Sequence, residues 1–211
     1  MVARTALEIT GCRVAASQVG KHYPGGWVIR DLDFELAPGE LMLLRGPNGS
    51  GKTTLLRILA GLISPSQGQI TLSGASLRHA LSVPGTVGYL AQSPGFYGEL
   101  SAQENLIFAL RAQGAARPSA EIVAALSRFD LPARQLVRNF SGGMRKRLAL
   151  AKIYLQNPRL WLLDEPEANL DQAGQALLAE LIEQVHGQVT VILASHNPTF
   201  RSKKVLELSG S

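Results

Sequence analysis

Gly46-Pro47-Asn48-Gly49-Ser50-Gly51-Lys52-Thr53-Thr54 has the spacing G-x-x-x-x-G-K-[ST] and follows the apolar run Leu41-Met42-Leu43-Leu44. A polyphosphate needs many donors in a small space, with no side chain blocking its approach. Glycines let successive backbone N–H groups curl inward, and the helix that follows turns its positive end to the anion. In such a loop Lys52 reaches the β- and γ-phosphates, and the Thr53 hydroxyl is a ligand for Mg²⁺. The spacing predicts a nucleotide-binding loop.

Two further stretches carry chemistry. Asp164-Glu165 follow Leu160-Trp161-Leu162-Leu163, so both carboxylates are expected at the end of a strand. Asp164 there suits Mg²⁺, often held through water, and Glu165 suits polarisation of an attacking water. Ser141-Gly142-Gly143 precede a helix running through Arg147, Leu148, Ala151 and Leu155. A hydroxyl and flexible backbone at a helix N-terminus again read as an anion-binding arrangement. A plain N-cap accounts for the serine but not for two glycines, each costing about 1 kcal/mol against alanine in a helix.

The elements that must position these residues are legible as apolar runs. Leu41–Leu44, Leu160–Leu163 and Val189–Ala194 read as buried parallel strands, each followed by polar residues, the last by Ser195-His196. In open α/β sheets, ligands sit at the carboxyl ends of the strands, so these distant residues are expected around one nucleotide. Leu55, Leu56, Leu59 and Ala60 mark a helix after the phosphate loop, ended by Gly61. Leu177, Leu178, Leu181, Ile182 and Val185 mark another, closed by His186-Gly187, with His186 as a C-terminal residue favourable to the helix dipole. Residues 100–156 read as mostly helical, with breaks at Arg117-Pro118 and near Pro132. The first 36 residues, Gln69–Leu72 and Val87–Leu90 read as strands. The expectation is one domain over 1–211, with a helical subdomain at about 95–157 inserted in the core.

With 211 residues and 45% hydrophobic content, the chain is long enough to bury a core, and a charged fraction of 18% argues against disorder. No apolar run approaches the roughly 20 residues needed to span a bilayer. The first residues are interrupted by Glu8 and Arg13 and do not read as a signal peptide, and no regulatory domain is expected after Ser211. A single cysteine, Cys12, excludes an internal disulfide and suits a reducing compartment, so a cytoplasmic location is expected. The net charge of +5 includes Arg145-Lys146-Arg147 and Arg201-Ser202-Lys203-Lys204, which read as solvated basic surface. No aromatic-interleaved basic stretch points to nucleic acid.

The order of these motifs resembles the nucleotide-binding subunits of ABC transporters over nearly the whole chain. Phe140-Ser141-Gly142-Gly143-Met144 is similar to that family's signature motif, with Met144 in place of a frequent glutamine. The resemblance implies an α/β P-loop NTPase (RecA-like) core with an antiparallel β subdomain and a helical signature subdomain. It implies ATP and Mg²⁺ as cofactors, and two copies sandwiching two ATP molecules head to tail, each signature contacting the other copy's γ-phosphate. It also implies roles for single residues: Gln92 as the Q-loop glutamine at the metal, Asn169-Leu170-Asp171 as the D-loop at the dimer seam. His196 matches the switch histidine at the γ-phosphate, and Tyr23 the aromatic stacked on adenine. Glu167 stands where the family has a small or apolar residue, and the sequence offers no reason for it.

Separate integral-membrane subunits are implied as partners, placing the chain at the cytoplasmic face of the membrane. Gln92–Asn105, with Pro94, Phe96, Tyr97 and Glu99, is the expected docking surface. Gly88–Gly95 and Glu99–Leu106 are most similar to the haem-exporter ATPases of cytochrome c maturation; drug, lipid and polysaccharide exporters share the signature segment. A soluble ABC ATPase would need a coiled-coil insertion or a second cassette. A GTPase or small-molecule kinase would leave the Ser141 signature unexplained, and there is no Asn-Lys-x-Asp motif.

Overall fold

The computed structural model describes residues 10–198 and 200–209; the reading of Met1–Glu8 as no signal peptide lies outside the described residues. In chain order, the first half contains β1 (Val14–Tyr23), β2 (Gly26–Leu36), β3 (Leu41–Arg45), α1 (Lys52–Leu59), β4 (Gln67–Leu72), β5 (Ala75–Ser76), α2 (Leu77–Leu81) and β6 (Val87–Leu90). The second contains α3 (Ala102–Ala112), α4 (Ser119–Arg128), a short 3₁₀ turn (Val137–Asn139), α5 (Gly142–Gln156), β7 (Leu160–Asp164), α6 (Gln172–Val185), β8 (Thr190–Ala194) and β9 (Lys204–Glu207).

Five strands form a parallel sheet in the order β6-β7-β8-β3-β9, with Leu41–Leu44 in register with Val191–Ala194. All five residues of β7 and of β8 are buried, as a sheet covered on both faces requires. The two-residue side-chain period then sorts the strands between two cores. Leu43, Trp161, Leu163, Val191 and Leu193 pack against α3, α4, α5 and α6. Met42, Leu44, Leu160, Leu162, Ile192 and Ala194 pack against α1 and a second, antiparallel sheet of order β2-β1-β4-β5. This is the α/β P-loop NTPase architecture with an antiparallel β subdomain and a helical subdomain.

The helical subdomain is fixed by local signals. Ser101 and Glu104 form a capping box at the start of α3, Ser101 accepting from the Glu104 N–H and Glu104 accepting from the Ser101 N–H at 2.8 Å. Asn105, buried, donates to the carbonyls of Tyr97, Leu100 and Ser101 and accepts from the Tyr97 N–H at 2.9 Å, closing the loop before α3. Beyond the expectations, the structure adds β5, α2 and the edge strand β9. The breaks at Pro118 and Pro132 fall between helices, as expected.

Candidate functional site

The phosphate loop joins β3, the fourth strand of the parallel sheet, to α1. Its glycines are dictated by sterics. Gly46 lies at φ 141°, and a Cβ there would fall 2.2 Å from the Leu208 carbonyl oxygen. Gly51, at φ 98°, caps α1, and its Cβ would meet Ile29 at 2.9 Å. The curled backbone of Asn48, Gly49, Ser50, Gly51, Lys52, Thr53 and Thr54, together with Gln92 and Glu165, lines a cavity of about 290 Å³. Lys52 folds back over the loop, donating to Gly46 O at 2.7 Å and Pro47 O at 3.0 Å. Its ammonium is thus poised over the concavity, and Ser50 Oγ beneath it is buried without a hydrogen-bond partner.

The carboxylates arrive from β7. Thr53 Oγ1 donates to Asp164 Oδ1 at 3.1 Å, and Tyr89 of β6 donates to Asp164 Oδ2 at 3.3 Å. Burial, helped by the neighbouring Glu165 charge, raises the Asp164 pKa above its ordinary value. Tyr89 is pushed up to about 12, chiefly by burial and then by the Asp164 charge, so it remains a donor at neutral pH. Gln92 donates to Glu165 Oε2 at 2.8 Å, and His196 Nε2 stands 4.0 Å from Glu165 Oε1. Four strand ends (β3, β6, β7 and β8) therefore bring Lys52, Thr53, Gln92, Asp164, Glu165 and His196 to one place.

The raised pKa makes Asp164 a cost to stability. Because the folded value lies above the unfolded one, the penalty is absent at pH below the unfolded pKa and grows as pH rises through the folded one. Asp164→Asn is accordingly expected to raise the Tm at pH 7 and to lose that advantage near pH 3, read by thermal melts across pH. The same substitution is expected to weaken Mg²⁺-dependent turnover.

Ser141, Gly142 and Gly143 open α5. Ser141 Oγ accepts from the Met144 N–H at 3.2 Å as an N-cap, while Ser141 and Gly142 face solvent. A Cβ on Gly143 would fall 2.7 Å from the Asn169 carbonyl, so close approach of the Asn169-Leu170-Asp171 loop accounts for that glycine. Gly142 makes only ordinary contacts with Asn169. Asp171 caps α6, accepting from the Gly174 N–H at 2.9 Å, and pairs with Arg147 of α5; the hydrogen bond from Arg147, then that from Gly174, lowers its pKa. Arg147 also donates to Asp130 at 3.0 Å. None of the signature residues lines the phosphate-loop cavity. Tyr23 ends β1 with an exposed ring, Lys21 Nζ standing 5.2 Å from its centroid; it too lies outside the residues lining that cavity.

Two residues acquire meanings that the sequence hid. Lys146 is not solvated basic surface: it is 1% exposed and donates to Ala91 O at 3.3 Å, Gln92 O at 2.8 Å and Glu165 O at 3.1 Å. Burial lowers its pKa, against the opposing pull of Asp164, Glu165 and Glu167. Its neighbour Arg145 is exposed, and charge in sequence says nothing about which of the two is buried. Glu167 accepts from Ser195 Oγ, which itself accepts from the Asn197 N–H at 2.9 Å, so Glu167 braces the loop carrying His196.

A glycine-rich phosphate loop at a parallel-strand end, facing an Asp-Glu pair that reaches its threonine, defines a P-loop nucleotide-binding protein. The chain belongs to the ABC transporter family, whose profile matches residues 29–168. It is similar to the cytochrome c biogenesis ATP-binding export protein CcmA of Bordetella bronchiseptica, 44% identical over 79% of this chain and 76% of that one. In fold it is similar to an ABC transporter ATP-binding protein of Pyrococcus furiosus (TM-score 0.80, 21% identity, 93% and 97% of the two chains). It is likewise similar to a dimeric ATP-binding cassette in a post-hydrolysis state with ADP and Pi bound (TM-score 0.80, 23% identity, 94% and 96%).

Proposed function

We infer that this chain is the ATP-binding and ATP-hydrolysing subunit of an ABC transporter, powering export of haem for cytochrome c biogenesis. The observation that carries the ATPase reading is the convergence of Lys52, Thr53, Gln92 and Glu165 on one polar cavity, with Asp164 bonded to Thr53 and His196 4.0 Å from Glu165. Lys52 neutralises charge on the terminal phosphates, Glu165 orients the attacking water and His196 holds the γ-phosphate. The hard oxygen atoms of Thr53 and Asp164, with Gln92, are the donors that would hold Mg²⁺, which would neutralise charge on the phosphates.

The site closes with a second copy of the chain, head to tail, so that two equivalent composite sites form about a two-fold axis. What supports this is the placement of Ser141 and Gly142: exposed, at a helix N-terminus, and absent from the cavity of their own chain. An anion they bind belongs to another molecule. Tyr23 stacks on adenine from the rim. Closure on ATP and release after hydrolysis convert the reaction into subunit movement.

Among the described residues no helix is long and apolar enough to cross a membrane; the family resemblance supplies separate membrane subunits as partners, which hold the chain at the cytoplasmic face. Tyr97 and Phe108, each about half exposed, stack edge to face at 5.1 Å in and beside the loop expected to dock. Nearby, Leu62 and Val83 are exposed at a groove of about 640 Å³ that runs between the ends of α1 and α5 and reaches Tyr89. These patches form the docking surface. Leu62→Asp or Tyr97→Asp is expected to reduce co-purification with the membrane subunits at least tenfold, with ATP affinity kept within about twofold, since each buries a charge against an apolar partner.

Haem as cargo rests on the resemblance carried by Gly88–Gly95 and Glu99–Leu106; the relative's name adds only cytochrome c biogenesis and export. Glu165→Gln, trapped with Mg-ATP and captured from solubilised native membranes, tests it by mass spectrometry. Recovery of polytopic subunits bearing haem is expected. Polytopic subunits without haem would move the cargo to a drug, lipid or polysaccharide. Recovery of no membrane protein would replace the transporter by a soluble ABC ATPase.

A further inference from the structure

Lys146 presents an unusual arrangement: a lysine in the interior whose ammonium is satisfied by backbone carbonyls. All three of its protons have an acceptor, and the acceptors come from two segments, Ala91-Gln92 after β6 and Glu165 after β7. The Glu165 backbone is itself under strain. It lies at φ 45°, in the left-handed region that costs a non-glycine residue about 1–2 kcal/mol. A strained conformation persists only where its surroundings over-determine it. Here the Glu165 N–H is tied to Ala194 O at 2.9 Å, its carbonyl accepts from Lys146, and its carboxylate accepts from Gln92 Nε2. Lys146 also grips the Gln92 carbonyl, so one ammonium fixes both the carboxylate and the amide that orients it.

We propose that Lys146 is a positioning residue for hydrolysis: it pins the Gln92 and Glu165 backbones to α5. Because α5 begins at Ser141, any displacement of the signature end against a neighbouring molecule reaches Glu165 through this rigid helix and a single side chain. The distances place Lys146 one turn into α5, between the exposed Ser141 end and the two loops it holds. Its carboxylate neighbours Asp164, Glu165 and Glu167 offset part of the cost of burying the charge, though burial outweighs them. The proposal rests on Glu165 as the carboxylate that orients water, and the test keeps the two separate.

The test compares Lys146→Met, which removes all three donors at similar volume, with Lys146→Gln, which keeps amide donors without charge. In Lys146→Met, kcat is expected to fall about 10- to 100-fold, the effect of a displacement on the order of 1 Å. KM and ATP affinity stay within about twofold. Lys146→Gln is expected to recover part of the loss, ending about 3- to 10-fold below the parent. An unchanged kcat in Lys146→Met, a parallel collapse of ATP affinity, or a folded glutamine variant no faster than the methionine one would overturn the proposal. Should the methionine variant fail to fold, Lys146→Gln combined with Gln92→Ala decides. Shared action predicts a double variant no more than about twofold slower than Gln92→Ala alone; losses that multiply, or a glutamine variant as fast as the parent, contradict it. Normal turnover in Glu165→Gln would instead sink the underlying assignment.

Discussion

Glu165→Gln is expected to retain ATP binding and to lower turnover by roughly 10²–10⁴-fold, the span that a positioned general base contributes. The substitution is nearly isosteric, so the backbone at φ 45° and its bonds to Ala194 and Lys146 remain. What changes is the head group. An amide in place of the carboxylate removes the negative charge that draws a proton from water, and it places an NH₂ within reach of His196, now 4.0 Å from Glu165 Oε1. Most of the cavity is lined by the phosphate loop, and Glu165 contributes only one wall. Binding and hydrolysis should therefore separate: fluorescence titration with Mg-ATP unchanged within a few-fold, steady-state phosphate release nearly abolished. A variant turning over at the parent rate would transfer the role to another group.

Lys52→Met is expected to do the opposite, losing both affinity and turnover. Lys52 is the cation at the mouth of the loop, and its present acceptors, the carbonyls of Gly46 and Pro47, are backbone groups that water can serve once a phosphate takes the ammonium. Removing a charge-assisted donor aimed at the transferring phosphoryl group costs about 10²–10³ in kcat, with a further loss in ground-state affinity because the γ-phosphate is charged before reaction as well. The stability of the unliganded chain should change little, since methionine fills the same volume and the site is polar and open. Isothermal titration with ATP, beside steady-state hydrolysis, reads both effects. Full ATP affinity in Lys52→Met would contradict the placement of the phosphates.

The strand ends were legible because β3, β7 and β8 are buried on both faces, which forces continuous apolar runs with chemistry immediately after them. The edge strand β9 escaped for the converse reason. Lys204-Val205-Leu206-Glu207 alternates between half-buried and exposed positions, and Lys204 reads as part of a basic cluster. β5 and α2 are too short to leave a period. In the site, sequence spacing picks out Lys52, Thr53 and Glu165, which the structure gathers at one cavity, because such chemistry demands particular residue types. It missed the groups behind them, because a buried lysine such as Lys146 and a surface lysine are written alike. Glu167 is similar: its role depends on the nearness of Ser195, a contact between two loops that no local pattern records. Gly143 reads as anion-binding in the sequence, and its close approach to Asn169 adds a packing reason that no local pattern records.

Sedimentation of Glu165→Gln with and without Mg-ATP asks whether a second copy of the chain completes the hydrolytic site. A nucleotide-dependent shift from the 22.6 kDa chain to twice that mass is expected, abolished when Ser141→Arg is added to the same variant. A species of single-chain mass at saturating Mg-ATP would rule out the composite site, the more so if the parent's specific activity were independent of protein concentration.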